Sequence, residues 1–218
     1  MSESRIERYL GWLKHYEEQW PVHDDEFEMP FGTAFRIAES TLKTMLMVAI
    51  DGSKSFLLGA LCRPFFELST TMRWAQKRND WHCLISAWKH EECKQGLQID
   101  AWAHCATGGD AKTMQQAKNG TKNNLPRFER LVREAYEAND YSRTQYDVIY
   151  RTLSQAVHGH IHAIKHDKGN RAIVLVAVFI ATHSLLLVAA ERFEKRDKRE
   201  RVLEQIHKEA SELVPNER

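Results

Sequence analysis

At 218 residues the chain is long enough for one domain with a full hydrophobic core. Its 43% apolar and 28% charged residues exclude a disordered polypeptide. A net charge of +1 excludes a polycation that grips nucleic acid through overall charge alone. Charge is nevertheless uneven. Residues 1–30 are acidic and close on Asp24-Asp25-Glu26, whereas Lys112–Arg133 and Arg143–Arg171 are basic. Such basic runs are either solvated helix faces or attractors of phosphate. The four cysteines, Cys62, Cys83, Cys93 and Cys105, form no C-x-x-C pair, which fits reduced, mostly buried thiols rather than a zinc ribbon or a disulfide framework. The N-terminal stretch is charged and amphipathic and lacks the apolar run of a secretory signal, so the expected location is cytoplasmic.

Helical periodicity dominates. Residues 4–20 place Ile6, Tyr9, Leu10, Leu13, Tyr16 and Trp20 on one stripe. "PVHDDEFEMPFG" follows, and its two prolines and glycine predict a loop. A second helix is expected over 33–50, with Phe35, Ala38, Leu42, Met45, Leu46 and Ala49 inward. "DGS" at 51–53 ends it, and a third helix runs over 54–78, which Pro64 is expected to kink or divide. Asp80 is placed to cap a fourth helix reaching about Cys105, with Trp81, Leu84, Ile85, Trp88, Ile99 and Trp102 on its stripe. "TGGD" at 107–110 is a stop, and the polar stretch 111–124 predicts a poorly packed helix or a loop. A helix over 126–138 leads to a turn at "EANDYS", after which Ser142 and Gln145 have capping-box spacing. "HDKGN" at 166–170 separates that helix from the last one.

The last helix opens with "AIVLVAVFIATHSLLLVAA", residues 172–190, which is as long as a membrane span. Helices buried on all sides read the same way. The buried reading is preferred, because His183 and Ser184 would face lipid in a span and the other stripes need a common partner. The helix then continues, charged, toward Val214. The expected architecture is all-α: a single antiparallel helical bundle with a central apolar helix. It divides into an N-terminal amphipathic helix and acidic loop (1–30), the bundle (31–195) and a charged helical extension (196–218).

The segment "YRTLSQAVHGHIHAIKH", residues 150–166, concentrates the histidines. At about 100° per residue, Asp147, Ser154, His158 and His162 fall within roughly 60° of Arg151. Tyr146, Ile149, Tyr150, Leu153, Val157, Ile161 and Ile164 form the expected core arc, with the polar strip along its border and His160 turned inward. Three chemistries could use the strip. His158 and His162 have the i, i+4 spacing of two metal ligands, but Asp147, Glu67 and His183 are only guesses for a third, and no metal or cofactor is expected. Ser154 lies one turn from His158, yet there is no nucleophile elbow. The third chemistry is metal-independent cleavage of RNA, with His158 as general acid or base and Arg151 stabilising charge on phosphorus. Arg63 and Glu67, an i, i+4 pair on the third helix, are either a surface pair worth a few tenths of a kcal/mol or a pair that faces this strip, with Glu67 holding Arg151 or a histidine. The tryptophans at 74, 81, 88 and 102 are expected in the core.

Arg151 and His158, with six residues between them, resemble the R-x4-6-H signature of the HEPN superfamily. "RPFFELSTTMRWA" and "YRTLSQAVHGH" also resemble an uncharacterised bacterial family with an R-x-x-x-E helix and a Y-x-x-x-S-x-x-x-H helix. The resemblance covers roughly residues 40–190. It implies a helical bundle, commonly a homodimer, and an endoribonuclease of toxin–antitoxin or phage-defence type with an antitoxin or defence partner. Arg151, His158 and Ser154 would form the catalytic set, supported by Tyr150, Asp147, His162, Arg63 and Glu67. Thr152 stands where active members carry Asn, Asp or His. The alternatives are a non-catalytic interaction module, whose polar strip fixes helix register, and a membrane-attached protein using residues 172–190.

Overall fold

The computed structural model describes residues 3–18, 25–51, 55–88, 91, 125–136, 145–157 and 167–211. Among them every regular element is helical: α1 (Glu3–Glu18), α2 (Asp25–Asp51), α3 (Ser55–Arg78), α4 (81–88) and α5 (Phe128–Tyr136). A π-helical turn (Gln145–Tyr150) then runs into α6 (Arg151–Val157), and α7 (Asp167–Phe193) and α8 (Arg196–Ser211) complete the order. The fold is an all-α bundle built on α3 and the apolar α7, which pack along each other. The helices α2, α5 and α6 lie against α3, and α1, α2 and α8 lie against α7.

Sequence periodicity accounts for most of the packing. On α1, Ile6, Tyr9, Leu13 and Tyr16 are buried at the three-and-four spacing of one helix face, each worth about 1.5–3 kcal/mol if fully removed from water. On α2 the buried set includes Phe35, Ala38, Leu42 and Met45, as expected. Trp74 and Trp81 are buried with their indole N–H groups donated to Glu134 (2.7 Å) and Gln76 (3.2 Å), and Trp88 packs at the core's edge. Cys62 is buried and Cys83 partly so, both as free thiols. Trp20, Trp102, Cys93, Cys105, the 107–124 stretch and Ser142 lie outside the described residues.

The α3–α4 corner follows from two short side chains. Asn79 takes a left-handed backbone (φ 51°), which Asn tolerates better than most residues. The amides of Asn79 and Asp80 then donate back to Gln76 O (3.2 Å) and Ala75 O (2.9 Å), closing a Schellman motif. Asp80 caps the next helix, its Oδ1 accepting from the Cys83 amide at 3.2 Å, as the sequence predicts.

Four boundaries differ from expectation. Helix α2 begins at Asp25 rather than 33, so the predicted loop is largely helical. Pro30, near the start of the helix, forfeits only one backbone hydrogen bond there. Pro64 does not divide α3. It sits on the exposed face, where the carbonyl deprived of its partner can meet water. Helix α7 begins at Asp167, taking in the predicted separator, because one glycine costs only about 1 kcal/mol against a long packed helix. Finally, the chain bends at Glu194 and Lys195, so α8 is a new helix and not a continuation of α7. The Lys195 carbonyl accepts from the Lys198 and Arg199 amides, both at 2.9 Å, and starts it.

Residues 184–190 of α7 are all buried, but Val176 is 49% exposed, so only the second half of the helix is enclosed on every side. The stretch Ala172–Phe193 is long and apolar enough to cross a bilayer, and most of it is buried within the bundle. One close approach sets the position of α6. A Cβ added at Gly59 of α3 would lie 2.9 Å from Ala156 Cβ and 3.4 Å from Val174 Cγ2. Only a residue without a side chain lets α3, α6 and α7 converge there.

Candidate functional site

That convergence rotates the core face of α6. The buried residues are Ile149, Leu153 and Ala156, whereas Val157, expected in the core, is 43% exposed. Tyr146 and Tyr150 consequently lie at the border, half-buried. Arg151 lies on the side away from the core and not along its border, with its side chain 66% exposed. Its guanidinium pairs with Asp147 (3.5 Å) and lies 6.0 Å from the Tyr146 ring centre.

The opening of this helix is a π turn, a form that often accompanies functional sites. It presents Tyr146 and Tyr150 as a stacked pair, with ring centres 5.4 Å apart and an interplanar angle of 19°. Phe128 of α5 packs against Tyr150 at 4.5 Å and Phe66 against Phe128 at 6.2 Å, which ties the pair to the core. From α3, Arg63 donates to Glu67 Oε1 (2.9 Å) and to the Tyr150 hydroxyl (3.2 Å), and its guanidinium lies 5.3 Å from the Tyr150 ring centre. Burial, and then the Glu67 carboxylate, raise the Tyr150 pKa above its ordinary value despite Arg63, so the phenol stays protonated at neutral pH.

The structure therefore brings Arg63, Glu67 and Tyr150 together and sets Asp147 and Arg151 beside them. Glu67 pairs with Arg63 and not with Arg151. Ser154 is partly exposed on the same short helix. His158, His160 and His162 lie outside the described residues. The Thr152 hydroxyl donates to the Val148 carbonyl at 2.6 Å, an ordinary helix back-bond. Among the described residues no group of three or more His, Cys, Asp or Glu side chains is arranged to hold a metal ion. Comparison with family models, curated proteins and solved structures finds no match for this chain.

Two further polar clusters escaped the reading of the sequence. The first joins three helices. The Tyr136 hydroxyl meets Ser184 Oγ (3.0 Å) and Thr70 Oγ1 (3.3 Å), and Arg73 lies over the Tyr136 ring while donating to Ala135 O (3.1 Å). His183 stands nearby, 5.1 Å from His207 between ring centres, and its Nδ1 is buried without a hydrogen bond. Burial, His207 and Arg73 together push its pKa down to about 4, so its imidazole is neutral at physiological pH. The second cluster centres on Glu194, where the α7–α8 bend meets α1. The Tyr16 hydroxyl donates to Glu194 Oε1 (3.3 Å), and His15 Nε2 lies 3.6 Å from the same oxygen. Only Tyr16 of these three was legible, and only as a core residue, because partners separated by more than a hundred positions leave no local pattern.

Proposed function

We propose that the tyrosine face on the π turn binds single-stranded RNA and that Arg151 and His158 cleave it without a metal. One observation carries the proposal. Two guanidiniums, Arg63 and Arg151, lie over the two rings of a stacked tyrosine pair at the solvent border. Cations beside aromatic faces are what a single strand needs, since phosphates take the charge and bases stack on rings. The resemblance to HEPN domains supplies the chemistry. The ribose 2′-oxygen attacks phosphorus, His158 takes or returns the proton, and Arg151 stabilises the added charge. The products are a 2′,3′-cyclic phosphate and a free 5′-hydroxyl. Ser154 and Tyr150 orient the substrate, and a second copy of the chain would supply a second Arg151/His158 pair.

The test is cleavage of a defined RNA in EDTA by the full chain. Arg151→Ala and His158→Ala should each lower the rate by about 10²–10⁴ while leaving the circular dichroism spectrum unchanged. Tyr146→Ala should weaken RNA binding more than it lowers the rate of bound substrate. RNA left intact by the unmodified protein under these conditions would sink the proposal.

The second reading, a non-catalytic interaction module, rests on a different observation. Thr152, at the position where active HEPN nucleases carry a polar side chain, spends its hydroxyl on Val148. Arg63, Glu67 and Tyr150 likewise satisfy one another. In that case Tyr150→Phe and Glu67→Gln lower the melting temperature and no cleavage exists to be lost.

A further inference from the structure

Helix α8 folds back on α7 after the bend at Glu194 and Lys195, and little holds it there. Among its described side chains only Ile206 is buried, with Val202 and Leu203 partly buried against the core. One arm of Arg199 donates to the Glu194 carbonyl at 3.3 Å, while its Nε is buried without a hydrogen bond. A helix with so few buried contacts opens on its own at a lower cost than the core helices.

One residue beyond Ile206, the exposed His207 meets His183 of α7, with ring centres 5.1 Å apart and planes at 61°. Edge-to-face contact of this kind suits an uncharged ring. Nothing here would stabilise a charged one. The His183 Nδ1 is buried with no hydrogen-bond partner, and neither imidazole forms an ion pair with a carboxylate among the described residues. The groups that bear on His183 from other helices are His207 of α8 and Arg73 of α3, both basic. Tyr136 of α5 reaches the adjacent Ser184 instead. The His15–Glu194 contact lies near the bend, but it joins α1 to the end of α7 and does not hold α8. A proton on His183 therefore adds positive charge beside two basic groups and creates an N–H with no acceptor.

We propose that this contact is an acid-sensitive latch: His183 and His207 hold α8 against α7, and protonation of His183 releases it. In the closed state burial, His207 and Arg73 keep the His183 pKa at about 4. In the released state water reaches the ring and its ordinary value of 6.5 returns. The proton thus binds the released state more tightly. The closed state is fully favoured above pH 6.5 and loses ground as pH falls toward 4. From pH 7.0 to 4.5 the released fraction grows by up to about 60-fold. Release also uncovers Leu187 and Ala190, which share the His183 face of α7 at three-and-four spacing. The latch shares no residue with the tyrosine face, so it stands or falls independently of RNA cleavage.

Amide hydrogen exchange of the full chain tests it, measured at pH 7.0 and 4.5 and corrected for the intrinsic rate of each amide. Amides of α8 should be less protected than those of α3 at both pH values, the mark of a helix that opens alone. Their protection should fall at the lower pH by up to about 60-fold. His183→Gln stays polar but cannot take up the proton, and should lose most of that fall. His207→Ala removes one of the two neighbouring basic groups and should make the fall smaller. Ile206→Val should lower α8 protection by about 2–10-fold at both pH values and leave the fall intact. Equal protection of α8 and α3, a fall under about threefold in the unmodified chain, an equal fall in His183→Gln, or an unchanged fall in His207→Ala would each overturn the latch.

Discussion

His183 makes the stability of this bundle depend on pH in a calculable way. The residue lies in the middle of α7, its Nδ1 is buried without a partner, and His207 and Arg73 add positive charge nearby. Burial first, and then those two groups, lower its pKa from 6.5 to about 4. The unfolded chain therefore binds the proton more readily than the folded one between these values. By linkage, stability is fully present above pH 6.5 and is lost as pH falls toward 4. The whole displacement corresponds to about 3.4 kcal/mol, of which about 2.4 kcal/mol is expressed between pH 7.0 and 4.5. Carboxylates titrate over the same range, so the effect must be read as a difference. Urea unfolding followed by circular dichroism at both pH values should show the unmodified chain losing about 2 kcal/mol more than His183→Gln does. The glutamine remains polar but cannot take up the proton. Equal losses in the two proteins would refute the reasoning, as would an imidazole resonance of His183 that titrates near pH 6.5.

Other consequences are simpler to measure. Tyr136→Phe keeps the ring under Arg73 but removes the hydroxyl shared by the buried Ser184 and Thr70, so urea unfolding should report a loss of about 1–3 kcal/mol; a change under about 0.5 kcal/mol would dismiss the network as a stabilising element. Gly59→Ala and Gly11→Ala carry the same gain in helix propensity, about 1 kcal/mol, yet only Gly59 faces a 2.9 Å contact, so Gly59→Ala should fall short of Gly11→Ala by about 1–3 kcal/mol in the same assay. The full chain expressed without detergent should remain in solution after ultracentrifugation, because most of the apolar stretch of α7 is covered by the bundle; recovery only with membranes would instead favour attachment through that helix.

The all-α class, the stripes on α1 and α2, the cap at Asp80 and the apolar helix at the centre were all legible in the sequence. Each depends on interactions within four residues or on the period of a single helix, and those are local properties of the chain. Helix boundaries near Pro30, Pro64 and Gly169 were misread for the same reason. Local propensity penalises these residues by a few kcal/mol at most, and burying a long apolar face against neighbours outweighs that. The candidate site shows the division most clearly. The i, i+4 pair Arg63–Glu67 was legible, and its approach to the histidine helix was one of two readings left open, but the exposure of Arg151 and the stacking of Tyr146 on Tyr150 were not foreseen. Those depend on how far α6 is rotated, and the rotation is set by Ala156 meeting Gly59 of a different helix. Glu194 belongs wholly to the tertiary structure. Alone it is one charge among many in a basic and acidic stretch, and it becomes a largely buried acceptor only because the chain bends there and brings it to Tyr16, 178 positions earlier. Sequence periodicity specifies which face of a helix is apolar, whereas the angle at which two such faces meet depends on the shapes of both partners, and that angle decides which polar groups end up side by side.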